Sequence, residues 1–139
     1  MAYIDTNVFV YAALENPKNS EAVYCRAVLG KIVAKGISAS TSILTWDELV
    51  WACKKALALA ESVGQGQRLL NLQNLKVKEC NTAIAAVAGE LMIKYMLKPR
   101  DALHAATAIL NGEKEIISDD ADFDKVKELK RVTLAESAK

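Results

Sequence analysis

Short apolar stretches alternate with helix-length segments along the whole chain, and this alternation narrows the fold more than any other feature. Tyr3-Ile4-Asp5, Ile37-Ser38-Ala39, Leu75 to Lys78, Ile116-Ile117-Ser118 and Arg131 to Leu134 have the length and apolar content of strands, the first ending in a carboxylate. Between them the spacing predicts a brief helix from Val8 to Leu14, stopped by Asn16-Pro17, and a longer one from about Ser20 to Lys35. Thr41 or Ser42 can cap a third helix reaching about Ala60, with a break at Val63-Gly64-Gln65-Gly66 and a short helix from Arg68 to Leu72. Asn81 precedes an apolar helix, Ala83 to Leu97, that Pro99 ends. Asp101 to Leu110 is a small-residue helix closed by Asn111-Gly112, and Phe123 to Leu129 a last short one. Strands separated by helices form a parallel α/β sheet covered on both faces, with its working crevice at the carboxyl ends of the strands.

At 139 residues the chain is expected to be one domain, large enough to bury a core without metal or disulfide staples. Cys25, Cys53 and Cys80 form no CxxC pair and have no histidine nearby, so free thiols in a reducing compartment are expected. The uncharged runs Gly36–Trp46 and Ala102–Gly112, at 11 residues each, fall short of the ~18 a membrane span needs. With no basic, apolar leader at the start, a cytoplasmic protein is expected. The 18 Lys+Arg against 17 Asp+Glu exclude a protein that holds nucleic acid by bulk basicity. That balance hides unlike segments: residues 51 to 100 carry a local +5, residues 101 to 139 a local −3.

Four segments set carboxylates among apolar or small neighbours: Ile4-Asp5-Thr6-Asn7, Leu44-Thr45-Trp46-Asp47-Glu48-Leu49, Pro99-Arg100-Asp101-Ala102-Leu103-His104-Ala105-Ala106-Thr107-Ala108, and Ile117-Ser118-Asp119-Asp120-Ala121-Asp122-Phe123. Taken singly, Asp5, Asp101 and the Asp119-Asp120 pair could be helix caps, and Glu48 a solvated helix residue. Taken together, ionised carboxylates beside a packed core call for a cation, and clustered hard oxygens select Mg²⁺ or Mn²⁺. His104 is the only histidine, which excludes a paired-histidine ribonuclease, and it is read as packing or lining the groove. No GxxxxGK[ST] or GxGxxG loop occurs to cradle a nucleotide.

In this order and over this length the four segments resemble the PIN domain ribonucleases, and in size the VapC toxins of toxin–antitoxin pairs. The resemblance covers nearly the whole chain. Tyr3 to Asn7 is similar to the family's amino-terminal motif, Thr45 to Leu49 to its helix motif, Arg100 to Ala108 to its third motif, and Ile117 to Phe123 to a strand-end motif written T-x-D-x-D-F. Ser118 stands where that motif often has Thr, and Asp119 adds a further carboxylate beside Asp120. The resemblance implies a three-layer α/β/α sandwich with a four- to five-stranded parallel sheet. It implies a catalytic set of Asp5, Glu48, Asp101 and Asp120, with Asp122 auxiliary, holding one or two Mg²⁺ or Mn²⁺ ions for hydrolysis of RNA. Thr6, Asn7 and Ser118 would orient those carboxylates. It also implies a homodimer and a small antitoxin as partner. The weaker substrate-binding candidates are Arg100, Lys54 and Lys55. Trp46 and Trp51 are read as core or interface packing ahead of an RNA-stacking face. The competing readings are a PIN-like fold that binds RNA or protein without cutting, and a stand-alone RNA-processing nuclease with no antitoxin.

Overall fold

The computed structural model describes residues 1–14 and 19–139. Five strands, β1 (Ala2–Ile4), β2 (Ala39–Ser42), β3 (Leu75–Lys78), β4 (Glu115–Ile117) and β5 (Lys130–Val132), form one sheet in the order β3-β2-β1-β4-β5. All neighbours are parallel. Among the described residues seven helices surround it: α1 (Thr6–Leu14), α2 (Ser20–Val33), α3 (Ile43–Lys54), α4 (Leu59–Leu70), α5 (Thr82–Tyr95), α6 (Pro99–Leu110) and α7 (Leu134–Ala138), with a 3₁₀ helix at Ala121–Lys125.

Alternation along the central strands divides the core in two. Tyr3 and Ile116 point into one layer with Ile84, Leu91, Ala102, Ala105 and Phe123. Their neighbours Ala2, Ile4 and Ile117 point into the other, with Val8, Phe9, Cys25, Val28, Ile32 and Leu49. This is the period of two expected of a strand covered on both faces. The alanines of α6 bring its backbone close against the sheet. The chain runs β1 to β2 to β3 on one side, then crosses to place β4 on the other flank of β1. That reversal opens the crevice between β1 and β4.

Several boundaries differ from the sequence reading, for identifiable reasons. The second strand is Ala39–Ser42, not Ile37–Ala39. A hydroxyl-rich run sits in the sheet because its polar atoms are paired: Ser40 Oγ donates to Glu113 Oε1 at 2.7 Å and Thr41 Oγ1 to the Ile4 carbonyl at 2.7 Å. Helix α1 begins at Thr6, so Thr6 and Asn7 lie in its first turn; the stop at Asn16-Pro17 lies outside the described residues. Ser42 caps α3, accepting from the Leu44 amide at 3.0 Å. The long helix ends early at Lys54, and α4 runs straight through the expected break. Gly66 is a packing residue there: a Cβ on it would lie 2.5 Å from Trp46 Nε1 and 2.8 Å from Val50 Cγ2. Helix α5 stops at Tyr95, where Met96 takes the left-handed conformation (φ 58°) and turns Leu97 into the core. The Phe123–Leu129 helix is instead the 3₁₀ helix at Ala121–Lys125, and Leu134 opens α7 behind a Thr133 cap instead of ending β5. The cysteines are free thiols, and no described helix is long and apolar enough to cross a membrane.

Gly66→Ala is expected to destabilise the protein by about 1–3 kcal/mol, because α3 and α4 must separate to admit one methyl group; urea denaturation checks this. Gly64→Ala, whose Cβ would meet nothing within 4 Å, serves as the control.

Candidate active site

The parallel register sets Ile4 beside Ile117, so the residues that follow, Asp5 and Ser118, leave adjacent strands at the same level. The Asp5 amide donates to the Ile117 carbonyl at 3.0 Å, and Ser118 Oγ donates to Asp5 Oδ2 at 2.6 Å. Asp5 Oδ1 accepts the Thr6 amide at 2.8 Å. Ser118 Oγ also accepts the Asp120 amide at 3.0 Å and Asn7 Nδ2 at 3.4 Å, tying the start of α1 to the loop after β4. Arg131 braces that loop from β5: its guanidinium pairs with Asp124 at 2.9 and 3.1 Å and donates to the Ser118 carbonyl at 3.2 Å.

Asp101 stands in the first turn of α6, behind Pro99 at the first helical position, so it is not the cap. Asp120 caps the 3₁₀ helix, accepting the Asp122 amide at 2.9 Å. One carboxylate oxygen from each of Asp101, Asp120 and Asp122 lies within 4.8 Å of the others, and all three residues are half-buried. Asp119 turns toward α1, where it accepts the Tyr11 hydroxyl at 3.1 Å. Asp122 also pairs with Lys125 at 3.4 Å.

Glu48 reaches the same crevice from α3. Its Oε1 accepts the Thr6 hydroxyl at 2.9 Å and is bonded to His104 Nε2. His104 projects from α6 one turn after Asp101 and is fully buried. Its Nδ1 bonds the Tyr3 hydroxyl at 2.5 Å. Beneath it, Thr41 and Thr45 share a hydrogen bond at 2.7 Å, and Thr45 receives a long contact from Thr6 at 3.4 Å. The histidine thus underpins the acidic crevice instead of lining a groove. Tyr3, Thr41 and Thr45 join it in the site. The only sequence signal for this was the i, i+3 spacing that sets His104 and Asp101 on one face of a helix.

The charges show what this arrangement costs. Burial, then the charges of Asp120 and Asp5, push the Asp101 carboxyl up to about 6, against a smaller opposing pull from His104. Burial also raises Asp5, despite the stabilising influence of His104 and the hydrogen bonds from Ser118 and Thr6. Glu48 goes the other way: burial would raise it, but the hydrogen bond and charge of His104 hold it below the usual range, with help from Thr6 and Arg100. Burial disfavours a charged imidazole, yet the bond to Glu48 and the charges of Asp5, Glu48 and Asp101 hold His104 above its ordinary value. The donor set fits a hard divalent cation: three carboxylates converge, Asp101 resists ionisation for want of a counter-charge, and buried Asn7 Oδ1 has no partner among the described residues. Asp5, whose charge reaches Asp101, has both oxygens already bonded, and Glu48 is held by Thr6 and His104. Lys54 and Lys55 are exposed at the end of α3, outside the cluster.

A model of the PIN domain family matches residues 2–129. No curated protein sequence matches the chain. Among solved structures, a toxin–antitoxin complex from Klebsiella pneumoniae aligns at 24% identity and TM-score 0.68, over 96% of this chain and 98% of that one. VapBC2 from Rickettsia felis, bound to a promoter DNA fragment, aligns at 19% identity and TM-score 0.73, over 96% and 98%. VapC20 of Mycobacterium tuberculosis, a toxin that cleaves the sarcin–ricin loop, aligns at 14% identity and TM-score 0.73, over 91% and 95%.

Two outcomes test these electrostatics. A folded-state pKa of about 6 at Asp101, against 3.8 for the free group, favours folding below about pH 4, an advantage lost as pH rises through about 6. In EDTA, Asp101→Asn is therefore expected to melt above the parent at neutral pH, with the gap narrowing toward pH 4. Tyr3→Phe strands buried His104 Nδ1 and is expected to cost about 1–3 kcal/mol in urea denaturation.

Proposed function

The chain belongs to the PIN domain family, and from that premise we propose that it is a divalent-metal-dependent endoribonuclease, the toxin of a toxin–antitoxin pair. The observation that carries this reading is the convergence of Asp101, Asp120 and Asp122, with the charge of Asp5 acting on Asp101 and Glu48 bonded to His104 of the helix that carries Asp101. Asp101, Asp120 and Asp122 would hold Mg²⁺ or Mn²⁺, and Asp5 would complete the set directly or through water. When bound, such an ion would activate water and stabilise the charge that builds on a phosphodiester in hydrolysis.

The protein's own groups have separate parts in this. Ser118 and the Thr6 amide fix the Asp5 carboxylate, as residues behind a ligand commonly do. Glu48 has Oε1 committed to Thr6 and His104, which leaves Oε2 to orient the attacking water and take up its proton. With His104 beneath it and Arg100 within electrostatic reach, Glu48 stays ionised for that role. Asp101 and Asp120 come from different elements, so cation and substrate would share one crevice.

An antitoxin partner is supported by a second feature. A cavity of about 270 Å³ opens between α1, α2, α3 and α4, lined by Phe9, Leu29, Leu49 and Leu69 with Arg26 and Arg68. Apolar walls with two arginines suit an antitoxin segment with an apolar face and acidic edges. The toxin–antitoxin complex similar to this chain supports the same partner class. A homodimer is part of the same proposal.

The parent protein is expected to cleave a fluorogenic RNA in Mg²⁺ or Mn²⁺ and to stop in EDTA. Supporting residues behind a metal ligand are worth about 10–100-fold, so Asp101→Asn, which loses a direct ligand, is expected to cost more than about a hundredfold. RNA left intact by the parent protein in both metals would overturn the nuclease reading.

A further inference from the structure

The two tryptophans differ sharply in setting. Trp46 packs at the edge of a core layer, against the helix that carries Gly66. Trp51, one and a half turns along α3, is 57% exposed and belongs to neither core layer. Its ring is the most exposed aromatic surface among the described residues, and it is bracketed by cations: Lys54 Nζ lies 5.8 Å and Lys55 Nζ 5.7 Å from the ring centroid. Helical geometry relates this patch to the acidic crevice. Trp51 and Lys55 follow Glu48 by three and seven residues, which sets them on the same side of α3, about one and two turns beyond the carboxylate.

An exposed indole between two lysines is unlike the centre of a protein interface, where lysine is depleted and aromatic rings sit among apolar neighbours. It has the composition of a single-stranded nucleic-acid groove, in which bases stack on aromatic rings and cations follow the backbone. Only an unpaired nucleotide presents a free base face, since those of a duplex are stacked on one another. A base stacked on indole gains more than an exposed cation–π contact, so an incoming base can displace one ammonium, which remains tethered where a phosphate would lie. Arg100, within electrostatic reach of Glu48, supplies a further positive charge near the crevice.

We propose that Trp51, with Lys54 and Lys55, is a stacking subsite for an unpaired RNA base next to the scissile phosphate. This rests on the nuclease reading above and adds a preference: the strand entering along α3 must carry a flipped or single-stranded nucleotide at that position. Trp51 is then a residue that binds substrate and takes no part in the bond-breaking step.

Trp46→Phe leaves Trp51 as the sole tryptophan, and its emission can be followed in EDTA while an oligoadenylate is added. Saturable quenching is expected, with little from an oligomer of the same length bearing abasic spacers. Loss of one stacked base corresponds to about tenfold or more in affinity, so Trp51→Ala is expected to weaken oligoadenylate binding and raise KM for RNA cleavage by that factor, with kcat little changed. Trp51→Phe, which keeps a ring, is expected to restore most of both. Unchanged binding and KM in Trp51→Ala would overturn the subsite and leave the nuclease reading standing. So would a change confined to its oligomeric state, which would mark Trp51 as a contact between copies of the chain. A parent protein that neither binds nor cleaves RNA would overturn both.

Discussion

The site depends on a pairing made by backbone alone. Because β1 and β4 run parallel with Ile4 opposite Ile117, Asp5 and Ser118, 113 positions apart in the chain, leave the sheet side by side. The bond from Ser118 to Asp5 at 2.6 Å follows from that register, and so does the position of the loop carrying Asp120 and Asp122. A slip of one residue would turn Asp5 and Ser118 to opposite faces and dissolve the crevice. Two apolar layers hold the register, because β1 and β4 each bury alternate side chains in both.

On that frame the protein concentrates negative charge that it does not neutralise internally. Burial and the charges of Asp120, Asp5 and Asp122 together make the half-buried Asp101 resist ionisation. The opposing resource is a buried polar chain, Tyr3 to His104 to Glu48, with Thr6 joining from α1. It keeps Glu48 charged and supplies partial compensation to Asp5 and Asp101. That asymmetry separates the carboxylates into two kinds. Glu48 is internally satisfied and ionised, whereas the aspartate trio gains most from an external cation. On the nuclease reading proposed above, stability and function pull apart at this edge of the sheet, a common arrangement where active groups are clustered.

Much of this was legible beforehand because it is local. Strands with alternating or continuous apolar residues, Asn81 as a cap, Pro99 as a boundary and Gly112 as a terminator each act through their own few neighbours. The strand Leu75–Lys78 needed nothing more. The misplacements have the opposite character. Ser40 and Thr41 look like loop residues until Glu113 and the Ile4 carbonyl, far off in the chain, accept their hydrogens. Gly66 looks like a helix breaker until Trp46 is seen to occupy the space its side chain would need.

The sequence by itself determined the class of fold and the four acidic segments, since strand and helix periods and the placing of carboxylates among apolar residues are written residue by residue. It also carried enough of the PIN pattern to show the family. Only the tertiary structure decided which carboxylates converge, that Asp119 turns away to Tyr11, and that a lone histidine in an alanine-rich helix lies beneath the acidic cluster. It alone separated the two tryptophans of α3, one packed and one left between lysines. The physical reason is the same in each case. Whether a polar or aromatic side chain is satisfied depends on partners brought by other elements, and those partners are chosen by register and packing across the whole sheet, not by neighbours in the chain.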